Sequence, residues 1–389
     1  MKPKIIQINS VCVYGSTGRL IADLSRMEDF DTLVCYGRKT DLENVNSYRF
    51  AEFIDNAVGA ARTILFDNNI NICKTATEKL IKKIEEYKPD LIHLHNLHGY
   101  YVNIEMLFSF LKQYNKPVVW TLHDTWSLTG YCPILDYYDC EKYKTECENC
   151  PCGFVYPFSL FKQNVRKEYR RKKELFNSLE NLTIVTPSRW LKDLVASSFL
   201  KEKTIQVINN GIDLSSFYPS KEKNKRFTAL AVAGWWTKDR GLEEMNKLIP
   251  LLNKDIEVIA VGTDSDKIKN CRTIKHTDSK KELIDLYSSS HILLMPTLED
   301  NFPTVNMESL ACGTPVITYN TGGSPEIIDE KTGIVVEKGN YRKMAEEVNA
   351  LSNHYVFNPE DCLERSKQFA SSHMVMNYNR LYKNILNRV

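Results

Sequence analysis

Short apolar runs alternate with helix-patterned stretches along nearly the whole chain, and the series occurs twice. In the first half the runs are residues 5–9, 32–36, 91–95, 118–122, 182–186 and 205–209. Between them lie stretches such as 76–87, in which Leu80, Ile81 and Ile84 recur at helical spacing. The second half has strand-like runs at 228–233, 257–261, 292–295 and 315–318, and helical patterns at 242–252, 280–288, 305–312 and 341–351. Such alternation constrains the chain to the α/β class, in which strands buried on both faces form parallel sheets covered by helices. Two series predict two such domains, residues 1–213 and 227–370. Residues 214–226 hold Ser215, Ser216, Pro219 and Ser220 before mixed charges and read as a linker. In the last stretch, 371–389, Tyr378, Leu381, Tyr382 and Ile385 share one face of a terminal helix.

A length of 389 residues agrees with two or three domains. The net charge of +2 gives no general basis for nucleic-acid binding. The apolar run at 5–8 is too short for a signal-peptide core, and no stretch reaches the roughly 18 apolar residues of a membrane span. The expectation is a cytoplasmic protein.

Open α/β sheets bind ligands beyond the carboxyl ends of their strands, so the residues following each run are the candidates. In the first half these are Gly15, Ser16, Thr17 and Gly18, then His95, Asn96 and His98, then His123 and Asp124. The glycine loop would let backbone approach a ligand closely. His95, Asn96 and His98 suit the orientation of a hydroxyl, or equally a set of histidines satisfied within the fold. In the second half Gly234 leads to Lys238, Arg240 and Gly241, and the run at 292–295 leads to Glu299, Asp300, Asn301, Phe302 and Pro303. Lys238 and Arg240 suit a diphosphate, each charge-assisted hydrogen bond being worth about 1.5–3 kcal/mol. A helix starting at Thr304 would add free N–H groups. The same cations also suit a solvated surface, but the flanking glycines and the strand-end position favour phosphate. Asp264-Ser265-Asp266 has the spacing of a metal-binding Asp-x-Asp and reads more simply as solvated acids.

The stretch Asp300-Asn301-Phe302-Pro303-Thr304-Val305-Asn306-Met307-Glu308, continuing to Gly313-Thr314-Pro315-Val316 and followed by Gly322-Gly323-Ser324-Pro325-Glu326, resembles the signature of glycosyltransferase family 4. That family pairs two acidic residues eight positions apart, normally both Glu. Glu308 fits the second, and Asp300 stands at the first. Residues 15–18, His123, the Asn-Gly-Ile-Asp sequence at 210–213 and Arg240 resemble further family positions. The Arg that many members carry five residues before Arg240 is Trp235 here, which leaves its role to Lys238. The resemblance implies the GT-B architecture: two Rossmann-like domains with parallel sheets facing a central cleft, and a C-terminal helix crossing back to the N-terminal domain.

It also implies a hexosyltransferase-like enzyme that retains anomeric configuration and needs no cofactor for catalysis. The donor would be a UDP- or GDP-linked sugar, and the acceptor a saccharide or lipid-linked saccharide in capsule, exopolysaccharide or O-antigen assembly. By resemblance His123, Asp300 and Glu308 form the catalytic set. Gly234, Lys238, Arg240, Asn301, Phe302, Pro303, Thr304, Val305 and Asn306 bind the donor together with Glu308, which would hold the ribose. Gly15, Ser16, Thr17, Gly18, His95, Asn96, His98 and Asp124 form the acceptor side. A nucleotide-sugar epimerase of the same fold and a non-catalytic nucleotide-sugar-binding protein are the competing readings.

Five of eleven cysteines crowd into the segment 130–153. The spacing of Cys132, Cys140, Cys147 and Cys150 suits a structural tetrahedral zinc. Reduced thiols pinning a lid, or disulfides formed on oxidation, are the alternatives. Next comes a basic run from Arg166 to Lys173, preceded by Phe154, Tyr156, Phe158 and Phe161. It suits peripheral contact with the inner membrane surface, at about 1 kcal/mol per cation near anionic lipid, or a solvated helix face.

Overall fold

Every strand of the two sheets runs parallel to its neighbours. The structure, a computed structural model, describes all residues except 39–43, 68–69, 153–158, 161–163, 276, 278 and 389. Phe154, Tyr156, Phe158 and Phe161 therefore lie outside the described residues.

The first sheet contains β1 (Lys4–Asn9), β2 (Asp31–Tyr36), β3 (Ser47–Arg49), β4 (Leu91–Leu94), β5 (Val118–Thr121), β6 (Leu182–Thr186) and β7 (Thr204–Val207), in the order β3-β2-β1-β4-β5-β6-β7. The second contains β8 (Thr228–Trp235), β9 (Glu257–Thr263), β10 (Arg272–Ile274), β11 (Ile292–Met295), β12 (Val316–Tyr319) and β13 (Gly333–Val336), in the order β10-β9-β8-β11-β12-β13. The central strands are apolar on both faces because both faces are covered: all residues of β4, β5, β11 and β12 are buried. In each sheet the strand order reverses once, between β1 and β4 and between β8 and β11. These are the switch points at which diverging crossovers leave a crevice at the strands' carboxyl ends.

The chain divides into two compact units, Met1–Ile208 with Val375–Val389, and Asn209–Met374. The first boundary thus falls after Ile208, not after residue 213. Residues 214–226, read as a linker, are packed into the second unit. Phe217 is buried in its core, and the Lys223 ammonium donates to the carbonyls of Ser290 (2.7 Å) and Gly313 (3.1 Å) and to the Thr314 hydroxyl (2.6 Å). The serines and charges that suggest a linker conceal these anchors. The later part of the terminal helix Ser371–Leu386 returns to the first unit. There the Tyr382 hydroxyl meets His93 Nδ1 at 2.5 Å, the Tyr378 hydroxyl meets Thr121 Oγ1 at 2.8 Å, and Lys383 pairs with Asp29 at 2.6 Å. Among the described residues no helix is long and apolar enough to cross a membrane.

Candidate functional site

In the first unit, β4 and β5 end side by side and deliver His95, Asn96, His98, His123 and Asp124 to one recess, also lined by Trp120, Leu122, Trp126 and Ser127. Asn9, at the end of β1, accepts the backbone N–H of Asn96 at 3.2 Å, so the switch point carries the recess. Asp124 Oδ2 accepts from His98 Nε2 at 2.6 Å, and its Oδ1 accepts the Trp126 N–H at 2.9 Å. Burial would raise the Asp124 carboxyl, but His98, the Trp126 N–H and His123 together hold it below the usual range. His123 is partly exposed and is pushed down to about 4, first by burial and then by His98, against the pull of Asp124. His95 and His93 are fully enclosed, and burial lowers both well below the usual imidazole range. Ser16, Thr17, Gly15 and Gly18 do not line this recess. They form the first turn of the helix Gly15–Ser25 instead of a loop. Gly18 is needed there because a Cβ would sit 2.9 Å from the Val13 carbonyl carbon.

In the second unit, the loops after β8 and β11 meet at the other switch point. Gly241 adopts a left-handed φ of +86° and turns the first loop into the helix Leu242–Leu248, with Pro296 O only 2.3 Å from where a Cβ would be. Arg240 from this loop forms an ion pair with Asp300 from the other. The Asp300 charge holds the guanidinium above its ordinary value. Gly322 and Gly323 close over the backbone of Asp300: Gly323 N–H donates to Asp300 O at 3.1 Å, and Gly322 (φ +55°) leaves no room for a Cβ. This accounts for the paired glycines of the sequence signature.

Phe302 points into the core against Phe369, so only its backbone can serve a ligand. Pro303 leads into the helix Thr304–Ala311, which opens without a side-chain cap and so offers its first N–H groups to an anion. Glu308 Oε2 accepts from the buried Tyr287 hydroxyl at 3.0 Å. Asn306 is buried, and among the described residues neither of its side-chain polar atoms has a partner, an arrangement that costs about 1–3 kcal/mol unless a water or ligand completes it. Gly234 is the last residue but one of β8, and among the described residues nothing lies within 4 Å of where a Cβ would be. Lys238 is exposed and paired with Glu243 at 2.9 Å, and Asn301 is partly exposed beside Asp300. Asp264 accepts from Trp235 Nε1 (2.7 Å) and pairs with Lys267 (2.8 Å), and Asp266 pairs with Lys275 (2.9 Å).

Cys132, Cys140, Cys147 and Cys150 line one small recess. Burial pushes the Cys147 thiol up to about 11. Among the described residues no three His, Cys, Asp or Glu side chains are arranged to hold a metal ion. Much of the basic run is engaged by acids: Arg166 and Arg170 reach Glu146, and Arg171 reaches Glu105. Lys172 is wholly buried, and its ammonium donates to the carbonyls of Trp126, Thr129 and Gly130, each at 3.0 Å, above the Trp126 ring. It thereby ties the helix Val165–Asn177 to the turn that follows Asp124. Sequence reasoning missed Lys172, hidden in a charge run. It also missed Gln7, whose signal was a single polar residue inside a strand that is otherwise apolar from Ile5 to Ile8.

A family model described as Glycosyltransferase Family 4 matches residues 19–216, and one described as Glycosyl transferases group 1 matches residues 226–354. The Escherichia coli (strain K12) protein WcaC, named for colanic acid biosynthesis, is 28% identical over 267 residues, which cover 64% of each chain. The capsular polysaccharide biosynthesis glycosyltransferase CapM of Staphylococcus aureus is 27% identical over 201 residues, 44% of this chain and 52% of that one. The chain thus spans between half and two thirds of the length of these relatives. Among solved structures, Anabaena Alr3699/HepE in complex with UDP superposes with a TM-score of 0.67 at 13% identity, over 99% of this chain and all of the other. That likeness is one of fold, and the fold is GT-B.

Proposed function

The chain belongs to glycosyltransferase family 4, and from that premise we propose that it moves a sugar, with retention of anomeric configuration, from a nucleotide-diphosphate sugar to a saccharide or lipid-linked saccharide of a cell-surface polysaccharide. The Arg240–Asp300 pair at the second switch point, beside the uncapped start of the helix Thr304–Ala311, carries the reading. Breaking the sugar–phosphate bond leaves positive charge on the sugar and negative charge on the departing diphosphate. Arg240, Lys238 and the N–H groups at Thr304 and Val305 stabilise that negative charge without a metal. Asp300 takes the sugar hydroxyls and Glu308 the ribose. His123 and its neighbours in the first unit offer hydrogen-bonding groups to sugar hydroxyls. The acceptor attacks from the face the diphosphate leaves, and the leaving phosphate accepts its proton. A UDP- or GDP-linked donor is proposed, and the UDP complex of HepE supports the former. The names of WcaC and CapM support a polysaccharide product. A lipid-linked acceptor would bring the enzyme to the inner membrane surface.

Thermal shifts with UDP, GDP, ADP and CMP test the donor site. At about 100 times its dissociation constant the cognate nucleotide adds roughly 2.7 kcal/mol, and Arg240→Met should abolish the shift. No shift with any nucleotide would overturn the donor reading.

A further inference from the structure

Gln7 lies on β1 and is 1% exposed. Its amide nitrogen donates to the Ile21 carbonyl at 3.3 Å, which turns its oxygen towards His95. That oxygen lies 3.2 Å from His95 Nε2. A carbonyl oxygen has no hydrogen to give, so the ring hydrogen of His95 sits on Nε2. His95 is enclosed among Gln7, His93 and His123, none of them anionic, and is neutral. Its Nδ1 is therefore a lone pair. This Nδ1 lies 3.2 Å from His123 Nε2, with the two ring planes 19° from parallel and their centroids 5.5 Å apart. The 3.2 Å nitrogen–nitrogen contact is a hydrogen bond, and 5.5 Å between centroids is too far for a face-to-face sandwich. The hydrogen in this contact must come from His123 Nε2. His123 is itself neutral near pH 7, which leaves its Nδ1 as a second lone pair. Among the described residues no hydrogen bond reaches that atom, and His123 is partly exposed. His123 lines the recess.

We propose that Gln7 and His95 are positioning residues that lock His123 in its Nε2–H form, so that Nδ1 is presented to the recess as an obligate hydrogen-bond acceptor for a hydroxyl of the sugar substrate. The chain of direction runs from a backbone carbonyl (Ile21) through an amide and two imidazoles. Each group has one orientation that satisfies the group before it. A carboxylate-bearing sugar, with no hydrogen to offer at that point, would be disfavoured relative to its alcohol counterpart. The inference rests on the sugar-transfer reading only for the identity of the hydroxyl; the tautomer itself does not depend on it.

Long-range proton–nitrogen spectra of the full chain labelled with nitrogen-15 histidine report each ring's tautomer, with His123 identified by loss of its signals in His123→Gln. The expected result is Nε2–H for both His95 and His123. Gln7→Glu is nearly isosteric and stabilises a cationic His95. Its Nδ1–H would then face His123 and force the His123 hydrogen onto Nδ1. In that variant the spectrum should show the switched tautomer, and kcat/KM for transfer should fall by roughly tenfold or more, the loss of one oriented hydrogen bond. Gln7→Leu, which removes the acceptor without adding charge, should give a mixture of tautomers on both rings. An Nδ1–H form of His123 in the unaltered protein, or a His123 tautomer indifferent to both substitutions, overturns the proposal. A correct tautomer in a protein that transfers no sugar overturns the functional reading and leaves the positioning intact.

Discussion

At Glu308 the carboxylate is oriented by the fold itself, because Tyr287 donates to it from the core at 3.0 Å. Glu308→Gln keeps an acceptor for that hydroxyl and removes the charge. It should lose most transfer activity while keeping stability within about 1 kcal/mol. Glu308→Ala strands the hydroxyl and should cost about 1–3 kcal/mol as well. A fully active Glu308→Ala enzyme would remove Glu308 from the site. The histidines set a pH limit. His123 has a folded value near 4 against 6.5, so between those values the unfolded chain binds more protons than the folded one. Its contribution is therefore complete above about pH 6.5 and is lost as pH falls to 4, on the order of 3 kcal/mol. Urea melts across that window should show the loss, and His123→Gln should shrink it.

Single elements carry the next layer. The helix Val165–Asn177 sends Lys172 beneath the turn at Trp126, Thr129 and Gly130, and burial pulls its ammonium down to about 7 against the pull of Glu168 and Cys147. Lys172→Met fills the space but takes the ammonium from the Thr129 and Gly130 carbonyls, while Trp126 O keeps only long contacts from the Thr129 N–H and hydroxyl, each at 3.4 Å. It should destabilise by roughly 3 kcal/mol or more and loosen the loop of His123 and Asp124, measurable as faster amide exchange there. The neighbouring thiols line one recess, and zinc uptake requires their side chains to turn inward. We retain zinc as the proposal: protein purified without chelator should hold one ion per chain, and a metal-free preparation of unchanged melting temperature would discard it. The central strands and most helices were legible from sequence because burial on both faces writes continuous apolar runs. The edge strand Ser47–Arg49 was not, since only three residues pair and two are exposed. Nor was the helix Phe53–Phe66, whose exposed Phe53, Ile54, Leu65 and Phe66 blur the apolar period. In the candidate site, Arg240, Asp300 and Glu308 could be picked out because strand ends and a signature mark them. Gln7, His93 and Lys172 act through partners far away in sequence, which periodicity does not record.

On the scale of the molecule, the first unit is discontinuous: Met1–Ile208 is completed by Val375–Val389. Tyr378, Leu381 and Tyr382 fill its core, and Tyr382 bonds His93 at 2.5 Å. Deleting residues 375–389 should therefore lower the melting of the first unit and leave a nucleotide-induced shift in the second, resolvable by calorimetry as two separate transitions. The discontinuity also sets an order of events during synthesis. Residues 209–374 are made between the two parts of the first unit, and at about 5–20 residues per second this takes roughly 8–33 seconds. Through that interval Phe30 and His93 of the nascent first unit lack Tyr382, and Thr121 lacks Tyr378. The half made first is thus the half finished last, and the newborn chain should be a client of holding chaperones until its final turns emerge.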